Sequence, residues 1–155
     1  MSNDSRSLGS GIAREVVRLR DETLLEGAMA TGALVALADR RLAVEESIAL
    51  QDVLANTESL QIHDPEFAMT LYTRHVDRIR HDFATGKQAA LDAIGRCSDD
   101  IDAALLIVRV GIAIAKADKV IAASEIEVIE EICDRIGIVG LDTLGLAGSV
   151  PTRLH

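Results

Sequence analysis

The stretch MATGALVALADRRLAVEE at residues 29–46 decides the fold, because its pattern returns as VRVGIAIAKADKVIAASE at residues 108–125. The two stretches align without a gap, and six of the eighteen positions are identical. An alanine-rich helical chain produces some of these matches by composition alone, but not a glycine, an aspartate and a glutamate in one register. We therefore interpret the two stretches as an internal duplication. The identical pairs are Gly32/Gly111, Ala36/Ala115, Ala38/Ala117, Asp39/Asp118, Ala43/Ala122 and Glu46/Glu125.

Each copy of the repeat has the pattern of a helical hairpin. An apolar helix is followed by a short turn that contains an aspartate. An amphipathic helix comes next, with acidic residues in its first turn. Two such hairpins bury their apolar faces when they pack around a pseudo-twofold axis in a compact bundle. The predicted fold class is therefore all-α, a bundle of seven to eight helices with a pseudo-twofold internal repeat of helical hairpins.

Composition also favours a single helical domain. The 155 residues are 48% hydrophobic but only 2% aromatic, with two prolines, so Ala, Leu, Ile and Val must form the core. Ala and Leu lead the scale of helix propensity, and the length is that of one ordinary domain. We predict a flexible tail over residues 1–11, a helical domain over residues 12–147 and a second tail over residues 148–155.

Apolar periodicity and helix-end signals predict the individual helices. Asp64 and Pro65 mark one helix start as a cap and a first-turn proline, and the acidic group at 99–102 opens another. Gly86 and Gly137 stand where a left-handed helix end is expected. The predicted helices cover residues 12–24, 26–39, 43–57, 65–84, 87–97, 100–117 and 122–136, with a short one near 141–145.

The charge of the chain narrows the class of partner. Its formal net charge is −9, from 25 acidic and 16 basic residues. A negative field repels phosphate backbones and anionic lipid surfaces, so we expect no nucleic acid partner. Cations and basic protein surfaces are the partners that this field favours. The alternative is that the acidic excess serves only solubility.

The cysteines and the apolar runs indicate the compartment. Cys97 and Cys133 lie 36 positions apart with no CxxC motif, which predicts two free, mostly buried thiols in a reducing environment. The first residues carry no apolar signal core, and the longest apolar runs are too short to span a bilayer. We therefore predict a soluble, cytoplasmic protein.

Three groups of motifs follow one another along the chain: ALVALAD…LAVEE over residues 33–46, RHDFATGK over 80–87, and DAALLIVRVGIAIAKAD…IAASE…EIC over 102–133. Their order and spacing resemble the tellurite resistance protein TerB family, over roughly residues 26–138. The resemblance implies a seven-helix bundle with pseudo-twofold symmetry and no enzymatic activity. It also implies divalent cation binding by acidic residues, and work with a membrane protein of the same resistance operon at the inner face of the cytoplasmic membrane. Nothing in composition or spacing indicates tellurite chemistry itself.

The acidic turns are the candidate binding site. Asp39 and Glu46 flank the first turn, and Asp118 and Glu125 repeat the arrangement in the second. Ca²⁺ takes about six to eight oxygen ligands and Mg²⁺ about six, so the two carboxylates of one turn make a weak site. Two turns that meet across the pseudo-twofold axis supply four carboxylates. These four residues are therefore the candidate ligands of Ca²⁺ or Mg²⁺.

The same four residues also have a purely structural interpretation. Glu46 and Glu125 stand where the acid of a capping box reaches back to a helix N-terminus. Asp39 and Asp118 can likewise satisfy backbone donors in the turns. On this interpretation the acids stabilise helix ends and bind no metal.

Two departures from the family pattern bear on the site. The residue after each aspartate is usually Gly in the family but is Arg40 or Lys119 here, and the cap position before each glutamate is usually Ser or Asp but is Ala43 or Ala122 here. Loss of Gly penalises a left-handed turn, and loss of the cap removes an oxygen ligand. A basic side chain beside each carboxylate also weakens its attraction for a metal.

Two other functions are compatible with the residues. His81 and Asp82 resemble the His-Asp pair of all-helical metal phosphohydrolases, with His75 and either Asp99 or Asp102 as further ligands. Against this, His75 and His81 are six positions apart and face different sides of one helix.

The other function is a structural interaction module, either a homodimer or a docking domain. Three arginines on one predicted helix, Arg74, Arg78 and Arg80, form a basic patch that suits this function. The alternative for that patch is a solvated helix face.

Overall fold

A computed structural model describes the chain over residues 3–38, 44–61, 63–118 and 121–138. Within those ranges the secondary structure is helical and contains no strand, which confirms the all-α prediction. The elements are α1 (Asn3–Ala36), α2 (Val44–Asn56), α3 (Glu58–Gln61), α4 (Pro65–His81), α5 (Phe83–Gly95), α6 (Ile101–Ala115), a 3₁₀ turn (Lys116–Asp118) and α7 (Ala123–Ile136).

The helix α1 is the centre of the bundle. It packs against α4, α5 and α6, while α6 in turn packs against α2 and α7. The buried apolar residues are predominantly Ala, Leu, Ile and Val, as composition predicts. Alanines and glycines allow neighbouring helices to approach closely, so the helices pack together although the core has few aromatic residues.

Gly32 marks the place where α1, α2 and α6 meet. A Cβ atom at this position would lie 3.2 Å from Cδ1 of Leu50 on α2 and 3.3 Å from Cδ1 of Ile114 on α6. Both distances are shorter than ordinary van der Waals contact between carbon atoms, which is optimal near roughly 3.5–4.0 Å. The glycine therefore lets the first hairpin close tightly against α6.

Gly111 stands in the equivalent place on α6. A Cβ atom there would lie 3.7 Å from Cγ1 of Ile129 on α7 and 3.6 Å from Cγ2 of Val35 on α1. Each of these neighbours is the counterpart, 79 positions away, of one neighbour of Gly32. The two halves thus make the same contacts with exchanged roles, as the predicted pseudo-twofold axis between α1 and α6 requires.

Several predicted helix ends are confirmed. The carboxylate of Asp64 accepts the N–H of Glu66 at 3.0 Å and caps α4. Asp100 caps α6 by accepting the N–H of Asp102 at 3.0 Å. Gly137 ends α7 in the left-handed region, with φ of 77°. These ends depend on residues close in sequence, which is why local signals locate them.

The N-terminal helix is longer than predicted. Residues 3–11, assigned to a flexible tail, are helical, and the break predicted between residues 24 and 26 is absent. No proline precedes Pro65, so no residue between 3 and 36 forces a break in this helix. Gly27, next to the predicted break, lies inside the helix, where a Cβ would come within 2.7 Å of Cys97 Sγ. Close packing, not a helix end, explains this glycine.

Gly86 was also predicted wrongly. It does not end α4 but lies in the first turn of α5, where a Cβ would overlap the backbone at Ile79. The boundary falls earlier, at Asp82, which caps α5 by accepting the N–H of Thr85 at 3.2 Å. The predicted helix near 141–145 and the tail at 148–155 lie outside the described residues.

Candidate cation-binding turns

The structure describes the side chains of two of the four candidate ligands. Glu46 lies in the first turn of α2 and Glu125 in the first turn of α7, and each is only 5% exposed. Asp39 lies outside the described residues, and for Asp118 the structure gives the backbone, at the end of the 3₁₀ turn. The equal burial of the two glutamates follows from their equivalent positions in the repeat.

Glu125 acts as a helix cap. Its Oε1 atom accepts the N–H of Ala122 at 2.9 Å, so the carboxylate reaches back across the first turn of α7. This contact confirms the capping interpretation for Glu125. Because an alanine side chain has no acceptor, the reciprocal bond of a capping box has no side chain to form it. The carboxylate also lies at the positive end of the α7 dipole, where negative charge stabilises a helix.

Tyr72 is a neighbour of the first acidic turn that the sequence analysis missed. It is 5% exposed on α4, and burial, together with the nearby charge of Glu46, raises the pKa of its hydroxyl. A hydrogen bond with Ser47 opposes this shift, and the hydroxyl is neutral at physiological pH and close enough to Glu46 to respond to its charge. The signal in the sequence is weak: Tyr72 follows buried Ala68 by one helical turn on the inner face of α4.

The second acidic turn packs on the helix that carries Glu46. The 3₁₀ turn Lys116–Asp118 contacts α2 as well as α6. The backbone of Asp118 thus approaches the first hairpin from the second. Among the side chains that the structure describes, no group of three His, Cys, Asp or Glu residues is close enough to hold a metal. Because the side chains of Asp39 and Asp118 are not among those described, the four-carboxylate site stays a prediction.

The residues proposed for a metal phosphohydrolase site, His75, His81 and Asp82, lie in surroundings unlike those of a metal centre. His75 is 1% exposed, and its Nε2 lies 3.3 Å from Oε2 of Glu26 on α1. Burial lowers the pKa of His75, while Glu26 opposes that shift. His81 is exposed, and Asp82 is occupied as the cap of α5. The two histidines lie on different sides of α4, as their spacing predicts.

The remaining sequence predictions concern thiols and charge. Cys97 and Cys133 are free and buried, which confirms that prediction, and burial raises the pKa of each thiol to about 11. Both thiols are therefore protonated and poor nucleophiles at neutral pH. The arginines of the basic patch, Arg74, Arg78 and Arg80, are all exposed on α4.

No helix in the described part of the chain combines the length and the apolar character needed to cross a membrane.

Comparison with known proteins gives one match. The family model described as tellurite resistance protein TerB covers residues 25–143. The match begins at Leu25, which is fully buried and is the first residue of α1 that the structure describes as part of the core. No curated protein and no solved structure matches the chain. The matched region therefore contains the whole duplicated unit and both acidic turns.

Proposed function

We propose, from the premise that this chain belongs to the tellurite resistance protein TerB family, that it is a resistance accessory protein that acts by binding. The proposed ligand is a divalent cation, Ca²⁺ or Mg²⁺, at the acidic turns. The proposed ligands to the ion are Asp39, Glu46, Asp118 and Glu125. Hydrolysis of a simple phosphoester in the presence of Mn²⁺ would contradict the non-enzymatic part of this proposal.

The matched burial of Glu46 and Glu125 carries the proposal. Each carboxylate is 5% exposed at the same position of its half. A buried carboxylate loses hydration, and nearby positive charge must offset that cost. Helix N-termini supply part of the compensation. A divalent cation between the two turns would offset the cost for both carboxylates at once.

Capping and cation binding are compatible in one residue. An ionised carboxylate has about four lone-pair sites, and the bond from Ala122 to Oε1 of Glu125 uses one of them. Hard cations prefer carboxylate, carbonyl and hydroxyl oxygens, and the hydroxyl of Tyr72 lies near Glu46. The net charge of −9 adds a field that attracts cations.

Titration calorimetry with Ca²⁺ and then Mg²⁺, on protein freed of metal by a chelator, tests the proposal. We expect saturable binding that weakens at least tenfold in the double variant Asp39→Asn plus Asp118→Asn. A matched control, Asp77→Asn plus Asp134→Asn, removes the same charge at two exposed positions and should bind as the wild type does. Absence of binding heat in the wild type, or equal loss in the control, would refute a site at the turns.

Docking of a partner protein is a second candidate function. The exposed Arg74, Arg78 and Arg80 form a basic patch on an acidic chain, and such polarity guides protein association. The proposed partner is an acidic surface on a membrane protein of the same resistance operon, or a second copy of this chain. Sedimentation at low and high salt separates these: a homodimer dissociates as salt rises, whereas a monomer that awaits another partner sediments equally in both.

A further inference from the structure

A cavity of about 410 Å³ lies where the end of α2, the short helix α3 and the start of α4 meet. Its wall is largely apolar and includes Leu54, Leu60 and Met69. The acidic turn that carries Glu46 is at the opposite end of α2, so the cavity is separate from the proposed cation site. Small-molecule sites in proteins are mostly apolar clefts of roughly 300–1,000 Å³, and this cavity is within that range.

One polar atom in the wall lacks a protein partner. The Nε2 atom of His63 is buried and has no hydrogen-bond partner in the described part of the chain. A buried polar atom left in this state is unfavourable, and a bound ligand that supplies a hydrogen-bond partner would remove that cost. A mostly apolar cavity with a few polar groups that orient the ligand is the usual arrangement of a specific small-molecule site.

The corner that contains His63 is fixed by local bonds. The side chain of Gln61 donates to the carbonyl of Ala55, which ties α3 to the end of α2. The backbone N–H of His63 donates to the carbonyl of Leu60 at 3.3 Å. These bonds fix the backbone around His63 before a ligand arrives, and pre-formed sites lose less conformational entropy on binding.

We propose that this cavity binds a small, neutral, mostly apolar molecule, whose ring or branched alkyl body contacts Leu54, Leu60 and Met69 and whose one hydrogen-bonding group meets His63 Nε2. The largely apolar wall disfavours a fully charged ligand. An anion is further disfavoured by Glu66 in the wall and by the net charge of −9. The flexible thioether of Met69 can adapt to ligands of different shape.

A matched pair of ligands tests the body and the polar group separately. The probes are 2-methylnaphthalene and 2-naphthol, which have the same ring and differ in whether they form hydrogen bonds. We expect both to bind in a 1:1 ratio by fluorescence titration, with the naphthol about fivefold to tenfold tighter, the net value of one hydrogen bond. NMR shifts on ¹⁵N-labelled protein should be confined to residues 51–69. Failure of both probes to saturate would overturn the proposal.

Three variants locate the site. Ala55→Trp places an indole at an exposed alanine in the cavity wall and should weaken both probes at least tenfold. Ala113→Trp makes the same change at an exposed alanine on α6 and should alter neither. His63→Phe keeps the apolar wall but removes Nε2, so it should abolish the advantage of 2-naphthol and leave 2-methylnaphthalene binding in place. If 2-naphthol still binds more tightly than 2-methylnaphthalene in His63→Phe, the hydroxyl does not meet Nε2. If a folded Ala55→Trp binds both probes as the wild type does, the probes bind elsewhere. Either result would overturn the proposal.

Discussion

The helices α1 and α6 are two copies of one sequence unit, and one face of the unit is buried in both. This shared face contains the glycines that contact the opposite half across the pseudo-twofold axis. Its side chains are small or β-branched in both copies, because the two helices approach closely there. The equivalent buried pairs are Gly32/Gly111, Val35/Ile114 and Ala36/Ala115.

A neighbouring face of the same unit is buried in α1 and exposed in α6. The cause is the pair α4 and α5, which packs on α1. Residues on this face follow their surroundings: they are apolar in α1, and small or basic in α6. The differing pairs are Ala30/Arg109, Leu34/Ala113 and Leu37/Lys116. The comparison shows that a duplicated helix keeps the pattern of its shared contact, while each other face depends on which helices cover it.

Exchanging the equivalent residues of α1 and α6 on this differing face should have the largest effect on stability. Ala30 is fully buried, so Ala30→Arg forces a charge into the α1–α4–α5 contact and should cost more than about 4 kcal/mol of unfolding free energy. The reciprocal Arg109→Ala changes an exposed position between two good helix formers and should stay within about 0.5 kcal/mol. Urea unfolding followed by circular dichroism measures both. A cost below about 1 kcal/mol for Ala30→Arg would mean that α4 and α5 do not cover α1.

The same comparison explains which parts of the fold the sequence could predict. The shared face and the helix caps depend on residues within one turn or one repeat, so Asp64, Asp100 and Gly137 were located correctly. Gly86 was not, because a glycine that ends a helix and one that admits a neighbouring helix look alike in sequence. Only the position of α4 decides between them. The start of α1 differs from the prediction for a related reason: residues 3–11 are polar, which is typical of a tail, but no proline among them prevents a helix.

The candidate site likewise has some contacts that the sequence could predict and others that it could not. The cap formed by Glu125 was predictable, because its donor, Ala122, is three residues away in the same helix start. The neighbours that come from other helices were not, as with Tyr72 beside Glu46 and the buried contact between His75 and Glu26. The last pair is 49 positions apart, and no periodicity links residues at that distance.

The contact between His75 and Glu26 is itself a difference between the halves, and it should have the smallest effect. The counterpart of Glu26 on α6 is Leu105, which has no carboxylate to offer a histidine. Burial lowers the pKa of His75, with Glu26 opposing and Arg78 and Arg74 adding to the decrease. The histidine is therefore neutral in the folded chain at pH values where the unfolded chain, with a pKa of about 6.5, already takes up a proton.

Stability should consequently fall as the pH drops through about 6.5, because the unfolded state then binds more protons than the folded state. Between pH 7.5 and 5.5 we expect the wild type to lose more unfolding free energy than His75→Phe, which cannot titrate, by up to about 1.4 kcal/mol. His81→Gln, at an exposed position of the same helix, should lose as much as the wild type. Glu26→Gln should extend the loss to lower pH, because it removes the charge that holds the pKa of His75 up. Equal pH dependence in the wild type and His75→Phe would show instead that the pKa of His75 is the same in the folded and unfolded chain, because the carboxylate on α1 fully offsets the burial.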